Sequence, residues 1–291
     1  MRVLITGAGG FIGSHLVDLL VSEGHNVIGI DKKRISDWSV GQHCSNVSRV
    51  LDIRDMESLR YFKPSFSFDV CFHLAAESRI QPSFTDPLGC IMDNVWGTAN
   101  VLQFCVESKC KRIIYAGSST ADDDVSKNVY ATSKFQGEQL CRTWFQCFGL
   151  TYHIARFYNV YGPRQEEEGP LATVIGIWER QYRNGDKLTI TGDGTQRRDF
   201  THVEDIVDGL YRIWINNPDS EILSLGTSQN HSLVELAGLF KCPTRFIPRP
   251  PGESQITRAS ISPLLDWHAK RSIEKYINDL TSRSKFGWDA K

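Results

Sequence analysis

The chain has 291 residues, with 33 Lys and Arg against 34 Asp and Glu, a formal net charge of −1, 41% hydrophobic residues and 23% charged ones. This is ordinary globular composition, enough for one large domain or two moderate ones. Near-neutrality offers no general attraction to nucleic acid or to an anionic membrane, and no apolar run approaches the length of a membrane span. The opening MRVLITGAGGFIG does not read as a signal peptide, because glycines stand where an apolar helical run should continue. The eight cysteines are scattered, none forms a CxxC, and no His/Cys cluster has metal-ligand spacing. Several, such as Cys71 and Cys105, lie in apolar segments. Buried reduced thiols in a cytoplasmic protein without a metal site are the expectation.

Residues 2–6 (RVLIT) read as a strand, and 12–23 as an amphipathic helix stopped by Gly24. Residues 26–31 and 48–53 read as the next strands, followed by a short helix opening near Asp55. A fourth strand is expected at 69–74. Asp86-Pro87 then supplies an N-cap and a first-turn proline for a long helix to about Ser108. Strand 112–116, a helix over 128–148 ending at Gly149, and strand TYHIARF follow. The repeated β-α alternation predicts an α/β fold, a Rossmann-type doubly wound parallel sheet. After about residue 160 the rhythm loosens, with helices near 170–184, 203–216 and 232–240. The expected division is a Rossmann-type domain over 1–160 and a smaller C-terminal lobe over 161–291. Segment 221–226 is strand-like and suited to return to the main sheet, making the boundary discontinuous.

Gly7, Gly10 and Gly13 follow the first strand at GxxGxxG spacing and open the first helix, with Phe11 and Ile12 between the last two. Glycines there permit a tight turn and close approach to a pyrophosphate, while the helix N-terminus supplies N–H donors. Asp31 stands at the end of the next strand, 18 positions after Gly13. A carboxylate there can accept from ribose hydroxyls and repel a 2′-phosphate, favouring NAD over NADP. The run Lys32, Lys33, Arg34 leaves a 2′-phosphate reading open.

Tyr130 and Lys134 lie four apart on the helix expected at 128–148, and so share a face. A free phenol has a pKa near 10, too high for a base at neutral pH. A neighbouring ammonium favours the phenolate.

TGAGGFIG (6–13), Asp31, Asp52-Ile53, HLAA (73–76), NVWGT (94–98), Ser118, YATSK (130–134), RFYNVYGP (156–163), GDGTQRRDF (192–200) and LLDWHAKRSIEKYI (264–277) together make the chain resemble a known family along essentially its whole length. That family is the extended short-chain dehydrogenase/reductases, in their NAD-dependent nucleotide-sugar epimerase/dehydratase group, with a likeness to UDP-glucose 4-epimerases. The resemblance implies Ser118, Tyr130 and Lys134 as the catalytic set, with Ser119 the alternative to Ser118 in the GSST segment. It implies cofactor contacts at Asp52 and Ile53 near the adenine, and at Leu74, Ala75 and Ala76 along the pyrophosphate and ribose. Asn94 would stand behind the site, and Tyr158 beside the nicotinamide. Asn159, Arg198 and Arg249 would hold the substrate diphosphate. His73 is expected to be a packed strand residue. The implied reaction is C4 epimerisation of a UDP-hexose through a 4-keto intermediate. The alternatives are a dehydratase, decarboxylase or 4-keto reductase, or a non-catalytic NAD-binding scaffold. A homodimer through the helices near 88–107 and 128–148 is also implied. One departure stands out. Only 11 residues separate Ser118 from Tyr130, where the family has a longer segment. Dehydratases of the group carry an Asp-Glu pair after the catalytic hydroxyl residue, and here Ser119 and Thr120 take those places. Asp122, Asp123 and Asp124 come slightly late, and a solvated turn is expected of them.

Overall fold

The computed structural model describes residues 1–33, 48–262 and 265–283; Arg34 and Leu264 of the sequence motifs lie outside them. Six strands are labelled in chain order: β1 (Arg2–Thr6), β2 (Asn26–Asp31), β3 (Ser48–Val50), β4 (Val70–His73), β5 (Arg112–Ser118) and β6 (Thr151–Phe157). With strand Ile222–Leu225 they form a seven-stranded sheet in the order Ile222–Leu225, β6, β5, β4, β1, β2, β3. Every pairing in it is parallel. The order reverses between β1 and β4, so the crevice at the carboxyl ends of these two strands is the topological switch point where open α/β sheets bind ligands.

The sheet is apolar on both faces because helices cover both. Alternation along β1 sends Val3 and Ile5 into one core with Leu16, Phe72 and Trp214. Leu4 goes into the other with Cys71, Phe104 and Ile113. A third cluster, around Tyr161, Trp178 and Phe240, packs the C-terminal elements. Local chemistry sets the helix ends that matter for the site. Asn128 caps helix Val129–Phe148 by accepting the Ala131 N–H, and Gly149 closes it in the left-handed region at φ 72°. Asp86 accepts the Gly89 N–H ahead of Pro87.

The long helix expected from 86 to about 108 is not uniform. It runs as α-helix Pro87–Ile91, a π-helical turn Met92–Trp96, and α-helix Gly97–Glu107. Asp93 and Asn94 are both buried on this wider turn. β3 is shorter than the 48–53 expected. β5 is longer than 112–116, reaching Ser118.

Candidate active site

One cavity of about 600 Å³ opens at the switch point and extends from the glycine loop to the segment around Arg249 and Glu253. At its dinucleotide end, Gly7 sits at φ +71°, and a Cβ there would come 2.7 Å from the Ala75 nitrogen. A Cβ on Gly13 would stand 2.0 Å from the Gly7 carbonyl oxygen. The loop is therefore pressed between the helix start and the chain leaving β4, with room for a ligand only on its open side. Gly7, Gly10, Phe11, Ile12 and Gly13 all line the cavity, as do Leu74, Ala75 and Ala76.

Asp31 lines it too, accepting the N–H groups of Gly9 (3.1 Å) and Lys33 (3.0 Å). Of the basic run beside it, Lys32 pairs with Asp93 at 2.6 Å and Lys33 faces Glu166 at 3.7 Å. Both ammonium groups thus have carboxylate partners, which weakens the 2′-phosphate reading. Asp52 is held by Arg54, with Nη2 at 2.6 Å. Burial raises its carboxyl, but the Arg54 hydrogen bonds and charge outweigh this and leave it below the usual range. Ile53 lines the cavity beside it. This polar and apolar arrangement fits a dinucleotide: a backbone cradle for pyrophosphate, a carboxylate for ribose, and an apolar slot for adenine.

His73 is the packed strand residue expected of it. Thr6 Oγ1 lies 2.7 Å from its Nδ1, and Thr98 Oγ1 lies 3.0 Å from its Nε2. Because Thr98 donates to the Asn94 carbonyl and Thr6 accepts the Ala75 N–H, the ring donates from Nε2 and accepts at Nδ1. Burial pulls its pKa to about 3, so it is neutral.

Tyr130 and Lys134 project from the first turns of helix Val129–Phe148 into the cavity, and Ser118 meets them from the end of β5. Ser118 Oγ accepts from the N–H (3.3 Å) and hydroxyl (3.0 Å) of Thr120. Ser119 also lines the cavity, but it opens the 3₁₀ turn after the strand. Ser118 is the one of the two that pulls the Tyr130 phenol down against burial, which favours Ser118. Lys134 Nζ lies 4.4 Å from the centre of the Tyr115 ring, a cation–π contact. Desolvation pulls Lys134 down to about 8, opposed by the Glu138 carboxylate. The Tyr130 phenol departs from expectation. Burial pushes it above its ordinary value, and the groups pulling the other way are Ser118 and Arg79. In the protein alone, desolvation outweighs the neighbouring cations.

Tyr158, expected beside the nicotinamide, and Asn94, expected behind the site, both stand off the cavity wall. Tyr158 is fully buried off the cavity, its hydroxyl donating to Asp122 and lying 3.3 Å from Ser224 Oγ. Phe157 and Val160 occupy the wall instead. Asn94 is also buried and does not line the cavity. It accepts the Glu77 N–H (2.8 Å) and donates to the Glu77 carbonyl (3.1 Å) and Ser133 Oγ (2.9 Å). It thereby ties the cavity-lining loop after β4 to the helix that carries Tyr130.

On the substrate side, Asn159, Arg198 and Arg249 all line the cavity. Asn159, at φ 31°, donates to the Asp199 carbonyl and Thr257 Oγ1. Arg198 is buried and reaches Glu253 at 3.4 Å. Arg249 donates to the carbonyls of Glu253 and Ser254. Arg197 is turned away onto Asn230 and Glu235.

Several contributors were not legible as site residues. Glu138, one turn beyond Lys134, forms a bidentate pair with Arg156 at 2.9 and 2.6 Å. The spacing Tyr130, Lys134, Glu138 places all three on one helix face, which was an available signal. Tyr115 supports Lys134, and Gly137 makes room for it: a Cβ there would sit 2.1 Å from the Tyr115 hydroxyl. A glycine inside a helix with no capping role is the sequence sign of such an approach. The aspartates after Ser118 form no simple solvated turn. Asp122 bonds Arg156 and Tyr158, Asp123 bonds Lys127 and Ser254, and Asp124 caps a 3₁₀ turn.

Residues 3–226 match the NAD dependent epimerase/dehydratase family. The chain belongs to this family. It is accordingly an NAD-dependent sugar-nucleotide enzyme. Among similar proteins, an uncharacterized UDP-glucose epimerase of Bacillus subtilis is 31% identical over 294 residues, covering 90% of each chain. A UDP-N-acetyl-α-D-glucosaminuronate decarboxylase of Bacillus cytotoxicus is 31% identical over 252 residues, 81% of this chain and 78% of the relative. The structure of a Thermus thermophilus UDP-glucose 4-epimerase in complex with NAD superimposes with a TM-score of 0.84 at 25% identity, over 97% of this chain and 98% of that one.

Proposed function

We propose that this enzyme epimerises C4 of a UDP-linked hexose. The observation that carries this reading is the content of one cavity: Ser118, Tyr130 and Lys134 stand between a dinucleotide cradle and Asn159, Arg198 and Arg249, while Asp122, Asp123 and Asp124 are committed elsewhere. Tyr130 takes the C4 hydroxyl proton. Ser118 hydrogen-bonds the same oxygen and aligns it. Lys134 supplies positive charge beneath the phenolate and holds ribose hydroxyls. Asp31, Asp52 and Ile53 receive the adenosine, and Gly7, Gly10, Phe11, Ile12, Gly13, Leu74, Ala75 and Ala76 the pyrophosphate side. Arg198 and Arg249 clamp the diphosphate, guanidinium forks being suited to phosphate oxygens, and Asn159 adds a polar contact. NAD, when held there, would supply the hydride acceptor for C4 and the donor for its return to the opposite face of the 4-keto sugar. A dehydratase needs an acid–base pair next to Ser118. Ser119 and Thr120 occupy that place, which argues against this second reading.

In heavy water the product is expected to carry no deuterium at C4 or C5, because hydride leaves and returns to the same carbon and no C5 carbanion forms. Proton NMR of the product mixture checks this. Deuterium at C5, or a 6-deoxy-4-keto product, overturns the assignment in favour of dehydration or C5 chemistry.

Residues 1–160 serve as the NAD-binding part and 161–291 as the nucleotide-sugar lobe in this reading, with 222–225 returned to the sheet. Phe84, Leu88, Met92 and Trp96 recur every four residues as an exposed apolar stripe, and Phe145 and Phe148 are exposed on the adjacent helix. A homodimer that buries this face in a four-helix bundle accounts for both. Leu88→Asp is expected to convert dimer to monomer in light scattering; an unchanged mass overturns this arrangement. Free buried Cys71, Cys105, Cys110 and Cys141 accord with a reducing cytoplasm. No helix among the described residues is long and apolar enough to cross a membrane.

A further inference from the structure

Arg79 stands on the loop that leaves β4 and lines the cavity at the sugar end. Its Nε donates to the Leu171 carbonyl at 3.0 Å, across the cleft on the segment that faces the loop. Among the described residues its two Nη groups make no hydrogen bond and no ion pair. The surrounding protein is dense enough that desolvation lowers the guanidinium. A cation held this way, anchored by one nitrogen with a planar fork left open, is suited to an anion.

The carboxylates that could satisfy it are engaged elsewhere. Glu77 Oε1 accepts the N–H groups of Ser78 and Arg79. Glu253 faces Arg198, and Glu166 faces Lys33. The reading above already assigns the diphosphate to Arg198 and Arg249. The loop that carries Arg79 is tied to the helix of Tyr130 on both sides of the arginine: Asn94 joins Glu77 to Ser133, and Ser83 Oγ accepts the Tyr130 N–H at 3.3 Å. In a hexose handled at C4 by Tyr130, the C6 substituent is carried on C5, the neighbouring carbon, and so falls on the same side of the pocket as the phenol.

From this placement we propose that Arg79 binds a carboxylate at C6 of the sugar, so that the preferred substrate is a nucleotide-linked hexuronate. The proposal rests on the epimerase reading above, which orients the sugar with C4 at Tyr130. It assigns Arg79 a specificity role and leaves the chemistry at C4 unchanged.

Calorimetric titration of the NAD-loaded enzyme with UDP-glucuronate, UDP-glucose and UDP tests it. The wild type is expected to bind UDP-glucuronate more tightly than UDP-glucose. Arg79→Gln is expected to weaken UDP-glucuronate alone by about 10- to 100-fold, the range of a charge-assisted pair. Arg79→Lys keeps charge but loses the fork, and should fall between them. It also carries the test if Arg79→Gln fails to fold. Equal weakening of all three ligands would make Arg79 a diphosphate contact and overturn the proposal. So would unchanged affinities, or a wild type with no preference for the uronate. A separate turnover assay keeps the two readings apart. If the binding pattern holds but no C4 epimer forms, the epimerase reading falls and the recognition stands. If UDP-glucose is epimerised while UDP-glucuronate is neither bound nor turned over, the reverse applies.

Discussion

Tyr130→Phe is expected to lower turnover of the nucleotide sugar by about 10²–10⁴-fold, the range for loss of a positioned general base. The fold and the NAD site should survive. Phenylalanine fills the same buried space, and the glycine loop, Asp31 and Lys134 are untouched. The backbone N–H of residue 130, which donates to Ser83 Oγ at 3.3 Å, is also kept. The pH profile sharpens the test. Burial raises the Tyr130 phenol in the protein alone, so the base form grows as pH rises and is lost as pH falls. Wild-type turnover should therefore decline toward acid pH, while the residual rate of the variant should not follow that limb. Thermal melts and cofactor titration, run beside the rates, separate lost chemistry from lost structure. A variant that turns over near the wild-type rate would remove Tyr130 from the proton transfer and leave Ser118 and Lys134 without a base to serve.

What could be read from the sequence, and what could not, divides along the range of the interactions involved. The alternation of apolar strands and amphipathic helices is local, and so are the Asn128 cap and the Gly149 stop; the doubly wound sheet followed from them. The glycine loop and the Tyr130–Lys134 face were legible for the same reason, since their geometry is set within two turns of chain. The π turn at Met92–Trp96 was not, because it is held by Asn94 contacts to Glu77 and Ser133, 17 and 39 residues away. The misplacement of Tyr158 is a register effect. β6 ends at Phe157, and beyond a strand end the two-residue alternation no longer says which side chain faces the ligand. Asp122 was unreadable for a third reason. Its partners, Arg156 and Tyr158, lie 34 and 36 residues downstream and meet it only once β5 and β6 pair. Arg79 gave no local signal, since one arginine in a polar loop looks like solvated surface until the opposite wall, at Leu171, is in place.

The pairing of β5 with β6 also sets the largest stability effect expected in the molecule. Arg156→Leu should destabilise the fold by about 3–5 kcal/mol, the cost of removing one partner from a buried ion pair. Glu138 is almost wholly buried on helix Val129–Phe148, and both of its oxygens are held by Arg156 at 2.9 and 2.6 Å. Leucine would leave that carboxylate enclosed without its hydrogen-bonded ion-pair partner. It would also release Asp122, whose 2.6 Å contact with Arg156 pins the turn after Ser118. Two readouts follow from one substitution. Urea denaturation should show the lower stability, and turnover should fall as well, because Ser118 and Lys134 both adjoin the disturbed network. Adding Glu138→Leu to Arg156→Leu should recover much of the stability, since a buried pair replaced by apolar groups is often neutral. Activity should recover less, because Asp122 still lacks Arg156 and Lys134 has lost the carboxylate that supports its charge. If Arg156→Leu unfolds within about 0.5 kcal/mol of wild type, the range of an ordinary surface substitution, the Glu138–Arg156 pair is not what braces the floor of the site.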